Sequence, residues 1–224
     1  MLPATLENKI NHNLELVRRN DLLRGIKPLQ MLDAGHAVDE QHKKLLVLAG
    51  NNYLGLAFSP AVISAAQQAC VQGASSTGAR LTTGGVPTLS ILESELADFK
   101  KAQAALFFNT GYMTNVGVIS ALADKHDIIF SDELNHASII DGARLSGAKI
   151  IVYKHSDMND LQQKLTAYAG FACNSFVITD GVFSMDGDIA KLPELVDIAE
   201  AHAATLVVDD AHAVGVLGTT GSGT

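Results

Sequence analysis

Four short apolar runs recur along the second half of the chain: DIIFS (127–131), KIIVY (149–153), NSFVITD (174–180) and TLVVDD (205–210). A helix-patterned stretch separates each from the next, and that alternation constrains the fold more than any other feature. The runs are continuously apolar and rich in β-branched residues, as strands buried on both faces of a sheet are. Between them, NHASIIDGARLSG (135–147) reads as loop and helix, and DMNDLQQKLTAYA (157–169) as a helix capped by Asp157. LPELVDIAEAHAA (192–204) reads as a helix with Pro193 in its first turn. Upstream, residues 88–103 read as a helix, AALFF (104–108) as a strand, NTGY (109–112) as a turn, and 112–123 as a further helix. Strands joined through helices by right-handed crossovers give a mainly parallel sheet with helices on both faces, a three-layer α/β/α architecture.

The first fifty residues have a different rhythm. Residues 5–24 place Leu6, Ile10, Leu14, Val17 and Leu22 at roughly helical spacing, and Gly25 and Pro28 are the stop signals. Residues 29–50 read as a short antiparallel excursion ending in the strand KLLVLA (44–49). Ser59-Pro60 then opens a helix that Gly73 closes.

Bulk properties narrow the function class. Hydrophobic residues at 47% and charged ones at 18% belong to a globular chain. The apolar runs are too short to span a bilayer, and the polar, helix-patterned start does not resemble a secretory signal, so the expectation is a soluble, cytoplasmic protein without membrane association. A net charge of -8 with no basic face argues against nucleic acid as a partner. Cys70 and Cys173 are isolated and read as small core residues rather than a disulfide.

In an open parallel sheet, ligands bind outside the carboxyl ends of the strands. Those ends are polar: 109–111, 131–136, 180–188 and 209–212. Gly111-Tyr112 opens a helix after a strand, which offers free amides and a positive dipole end to an anion, although the same spacing suits an ordinary strand–helix turn. No GxGxxG and no GxxxxGK[ST] occurs to support a dinucleotide or Walker loop. His136 stands at a helix start, where a cap and a catalytic group are both open readings. Ser184 has no G-x-S-x-G elbow, the 180–188 loop lacks the order of a calcium loop, and Asp209, Asp210 and His212 lack a partner set for a metal. No metal is expected.

Six blocks, in order, resemble the large domain of the α-oxoamine synthases: NNYLGL (51–56), GARLTTG (78–84), LFFNTGYMTN (106–115), DELNHASIIDG (132–142), TDGVFSMDGDIAKLP (179–193) and VVDDAHAVGVLG (207–218). That family uses pyridoxal 5'-phosphate (PLP) on the aspartate-aminotransferase-like fold. The resemblance implies that Asp209 meets the pyridine nitrogen and keeps it protonated, making the ring a better electron sink. It further implies that His136 stacks on the ring, that His212 and Ser184 face the phenolic oxygen, and that the Gly111 and Tyr112 backbone receives the phosphate. Asp210 is expected to serve its own loop. The family condenses an amino acid with an acyl-CoA and releases CoA and carbon dioxide. NDLLRGIKPL (20–29) resembles members that join L-alanine to pimeloyl-CoA, or its carrier-protein form, to make 8-amino-7-oxononanoate in biotin synthesis. In those members Arg24 and Asn51 would border the substrate. Ser90, where the family often has histidine, is a departure. Glycine-using relatives (2-amino-3-ketobutyrate CoA ligase, 5-aminolevulinate synthase) and a non-catalytic partner subunit are the competing readings.

On this resemblance residues 1–55 form an amino-terminal helix and short β segment, and 56–224 an incomplete PLP-binding large domain. The family's T-x-x-K lysine and its small carboxyl-terminal domain are not found in the 224 residues. The chain alone is therefore expected to lack turnover, and the family's homodimer is expected of a full-length protein.

Overall fold

The computed structural model describes residues 3–171 and 173–224. Internal contacts divide the chain into two compact units, Met1–Ala74 and Ser75–Thr224.

The first unit opens with helix α1, Ala4–Arg19. It stops five residues short of Arg24 because the Asn20 side chain donates to the Leu16 carbonyl at 2.9 Å and Asp21 turns to φ 54°, both upstream of the glycine stop. Strands β1 (Gln30–Met31), β2 (His36–Val38) and β3 (Lys44–Leu46) form an antiparallel sheet in that order, with Ala37 paired to Leu45. KLLVLA contributes only its first three residues to β3. Helix α2, Pro60–Cys70, starts after Ser59 with proline in its first turn as expected, and it ends at Cys70, before Gly73. The unit thus extends through α2, past the residue 55 at which the sequence reading divides the chain. Cys70 and Cys173 are both exposed, correcting their reading as core residues. Cys70 ends a helix that has no buried residue, and Cys173 lies in the turn before a strand.

The second unit is the parallel α/β body. Its short helix α3 (Arg80–Thr83) and helix α4 (Pro87–Lys100) precede α5 (Gly111–Leu122), β4 (Ile128–Asp132), α6 (Ala137–Ser146), β5 (Lys149–Tyr153), α7 (Met158–Ala167), β6 (Ser175–Asp180), α8 (Leu192–Ala201) and β7 (Thr205–Asp209). The sheet order is β5-β4-β6-β7, every pair parallel, with Phe130 between Ile151 and Val177. Alternation along each strand sends side chains to opposite faces. On one face Ile128, Phe130, Tyr153 and Val177 pack with Leu161 and Leu165 of α7 and Leu195 of α8. On the other, Ile129, Phe176 and Ile178 pack with Ile119 and Ala123 at the end of α5 and Ile139 and Ala143 of α6. Each such buried large side chain contributes about 1.5–3 kcal/mol by leaving water. These two cores are the outer interfaces of the three layers.

Two expectations change. Burial on both faces holds for β4 and nearly all of β6, whereas β5 and β7, at the sheet's two sides, are half-exposed. The AALFF stretch is not a strand, because its backbone finds no ladder partner among the described residues. Instead the Phe107 amide donates to the Glu93 carboxylate at 2.9 Å. Arg80 grips that carboxylate with two hydrogen bonds of 2.7 and 2.9 Å, and with the Phe107 amide pulls its pKa down to about 2. Among the described residues no helix is long and apolar enough to cross a membrane.

Candidate active site

Because β4, β6 and β7 run parallel, their carboxyl ends reach the same edge, and each ends in an aspartate: Asp132, Asp180 and Asp209. Asp180 and Asp209 are register partners. Buried Asn135 ties two of these ends together. Its side-chain amide donates to Ser131 Oγ at 2.9 Å and to the Ile178 carbonyl at 2.8 Å, while its oxygen accepts the Asp180 amide at 3.0 Å. The next residue, His136, is the N-cap of α6: Nδ1 accepts the Ser138 amide at 3.2 Å. The His136 amide in turn donates to Asp180 Oδ2 at 2.9 Å.

A cavity of about 100 Å³ opens at this edge, lined by Gly111, Tyr112, His136, Ser184, Asp209 and His212. All six residues assigned to cofactor contact or catalysis from the sequence therefore meet in one place. Asn115, Ser138, Asp180 and Ala211 line it as well. Asn115 escaped the sequence reading, although it follows Gly111 by four residues and so shares its helix face. Its side-chain amide donates to Asp209 Oδ2 at 2.6 Å and to Ser138 Oγ at 2.8 Å. The Ser138 hydroxyl lies 2.6 Å from His136 Nδ1. Hydroxyl and amide donors both face Nδ1, so a neutral His136 ring carries its proton on Nε2. The other oxygen of Asp209 accepts the Ala211 amide at 3.0 Å. One hydrogen-bonded network thus orients the Asp209 carboxylate and the His136 imidazole together.

At the start of α5, Thr110 Oγ1 accepts the Met113 amide at 3.1 Å. The Gly111 and Tyr112 amides find no acceptor among the described residues, and a Cβ on Gly111 would meet nothing within 4 Å. That end presents unpaired donors and the positive pole of a helix dipole to open space. The Tyr112 side chain is engaged elsewhere, donating to Asp141 Oδ2 at 2.6 Å, which raises its phenol pKa.

Burial pushes the Asp180 carboxyl up to about 6, the charges of Asp209 and Asp132 add to the rise, and the His136 amide opposes it. Asp210 serves its own loop only in part: it receives the Thr224 hydroxyl at 2.5 Å, and also Lys100 Nζ from the end of α4 at 2.7 Å. Arg24 and Asn51 belong to the amino-terminal unit, where both are exposed. Chemically, the cavity combines an ionisable acceptor for a cationic N–H, free amides for an anion, and imidazole and hydroxyl groups between.

Comparisons with known proteins agree with this chemistry. The sequence model described as aminotransferase class I and II matches residues 43–223. An 8-amino-7-oxononanoate synthase from Lysinibacillus sphaericus is 46% identical over 220 residues, which are 98% of this chain and 56% of that protein. The 8-amino-7-oxononanoate synthase 2 of Bacillus subtilis (strain 168) is 45% identical over 223 residues, again 98% and 56%. Among solved structures, serine palmitoyltransferase from S. paucimobilis with a bound PLP–myriocin aldimine superposes with a TM-score of 0.88 at 32% identity, covering 100% of this chain and 56% of that one. The chain spans just over half the length of the relatives it matches.

Proposed function

The chain belongs to the aminotransferase class I and II family, and on that premise we propose that its cavity holds pyridoxal 5'-phosphate for a decarboxylative condensation. The substrates we assign are L-alanine and pimeloyl-CoA or pimeloyl carrier protein, and the products 8-amino-7-oxononanoate, CoA (or the free carrier protein) and carbon dioxide. The names of the relatives and the sequence resemblance support that choice.

The donor set fits the cofactor. Asp209, oriented by Asn115 and the Ala211 amide, would accept the pyridinium N–H through a charge-assisted hydrogen bond. The open amides of Gly111 and Tyr112 suit the phosphate dianion. His136, fixed by Ser138, would hold the ring's face, and Ser184 and His212 would serve its phenolic oxygen. When bound, the cofactor supplies an electron sink for a carbanion at the amino acid's α-carbon. Arg24 and Asn51 are assigned to substrate binding. The lysine that carries the cofactor, in this reading, comes from the part of the relatives' length that the chain does not span, and the working assembly is a cytoplasmic homodimer.

One observation carries the reading: a carboxylate held by two donors shares a cavity with the unpaired start of a helix. The test takes a polypeptide spanning the relatives' full length, titrates PLP by absorbance, and assays CoA release with pimeloyl-CoA against L-alanine, glycine and L-serine. Stoichiometric PLP binding and turnover with alanine are expected. Failure to bind PLP, or turnover with glycine or serine in preference to alanine, refutes the cofactor or the substrate assignment respectively.

A further inference from the structure

Beside the cavity lies a second cluster that the reading above does not use. His155, just past β5, has Nδ1 2.9 Å from Asp132 Oδ1 and Nε2 2.8 Å from Asp188 Oδ2. Asp132 is almost wholly buried at the end of β4, and it also receives the Leu134 and Ser156 amides at 2.9 and 3.0 Å. Asp188 belongs to a small hairpin spanning 181–190. Val182 bridges to Ile189, the Phe183 amide donates to the Asp188 carbonyl at 3.0 Å, and Gly187 takes the left-handed φ of 77° that closes the turn. That hairpin carries Ser184. The His155 ring packs edge-on against buried Phe183, the residue before Ser184, with centroids 4.4 Å apart.

Carboxylate oxygens can only accept, and a neutral imidazole has one N–H, so satisfying both ring nitrogens requires the imidazolium. The Asp188 side chain has no other partner among the described residues, and its Oδ1 is buried without one. We propose that His155 is a positioning residue: as an imidazolium bridging Asp132 to Asp188, it clamps the 181–190 hairpin so that Ser184 stays at the cavity. The inference rests on the cofactor reading only for what Ser184 touches. The charges around the ring are consistent with it. Asp132 faces it from the end of β4, and Glu133, the next residue, accepts the His155 backbone amide at 2.9 Å. Asp188 faces it from the hairpin. Lys191, at the hairpin's exit, donates to the Ser156 carbonyl at 3.1 Å, and Lys154 precedes the ring on its own segment. Burial alone would pull the imidazole pKa down, but Asp132 and then Asp188 hold it above the ordinary histidine range. On deprotonation the remaining proton stays toward buried Asp132, and the half-exposed Asp188 lets go.

The test follows amide exchange of residues 182–189 in the cofactor-free intact protein, corrected for intrinsic rate, while NMR reports the titration of His155. Exchange should rise about tenfold as His155 deprotonates, the scale of one charge-assisted hydrogen bond. Asp188→Asn and His155→Gln should show the raised rate at every pH. In PLP titrations Asp188→Asn should weaken binding, and should add nothing in a Ser184→Ala background. Hairpin exchange indifferent to the His155 titration, or an Asp188→Asn effect undiminished by Ser184→Ala, overturns the clamp. A wild type that binds no PLP refutes the cofactor reading instead, and the exchange data still decide the clamp.

Discussion

Gly142→Ala tests how closely α5 and α6 pack, because the two effects of the change have opposite signs. Gly142 is buried in α6, where alanine is favoured over glycine by about 1 kcal/mol if the site has room. It has none. A Cβ there would stand 2.9 Å from the Asn115 backbone oxygen and 3.2 Å from Ile119 Cβ and Cδ1. A backbone oxygen cannot rotate aside, so the helices must separate, which puts the cost in the upper part of the range of about 1–3 kcal/mol that overpacking takes. The net loss is about 1–2 kcal/mol, or a melting temperature lower by about 2–8 °C for a protein in the 150–250-residue class. Because the displaced carbonyl belongs to Asn115, whose side chain holds Asp209, PLP affinity should fall in the same variant. Gly117→Ala is the control: its new Cβ meets a Phe108 ring atom at 3.1 Å, and a ring edge can swing away. The assay is thermal denaturation of wild type and both variants. A Gly142→Ala protein at or above the wild-type melting temperature would refute the close helix contact.

Three further outcomes are expected. Phe130→Ala, at a side chain buried between both layers of the larger core, should cost about 3–5 kcal/mol in urea denaturation without a change in slope. Asn115→Ala should weaken PLP binding about tenfold in an absorbance titration, because it deletes the 2.6 Å donor to Asp209. For Asp180, the folded carboxyl titrates near 6 against an ordinary 3.8, so the folded state binds the extra proton between those values. Stability therefore falls as pH rises from about 4 to about 6, and Asp180→Asn, which keeps an acceptor for the His136 amide, should flatten that slope in melting curves.

The parallel body was legible because its strands carry their own signature. Residues such as Ile128–Ile129–Phe130 and Phe176–Val177–Ile178 feed both faces at once, and only a sheet covered on each side uses them all. Helix starts were legible where a side chain does the capping, as at Asp157. AALFF misled because a β-like composition says nothing of whether a ladder partner is present. The end of α1 misled because Asn20 supplied a local hydrogen bond that competes with the helix ahead of the glycine. At the site, residues that touch open space were found, since strand ends and glycine turns announce them. Asn115 and the His155 bridge were not, because their meaning lies in partners dozens of residues away, 94 for Asn115 to Asp209 and 23 and 33 for His155 to its two aspartates.

Everything proposed for the cavity turns on Asp209 keeping the cofactor's ring nitrogen protonated. Nitrogen-15 NMR of ring-labelled PLP bound to the protein reads that state directly. A pyridinium signal is expected in the wild type, giving way to an unprotonated pyridine in Asp209→Ala. A neutral ring nitrogen in the wild type, or a pyridinium that survives the substitution, would contradict it.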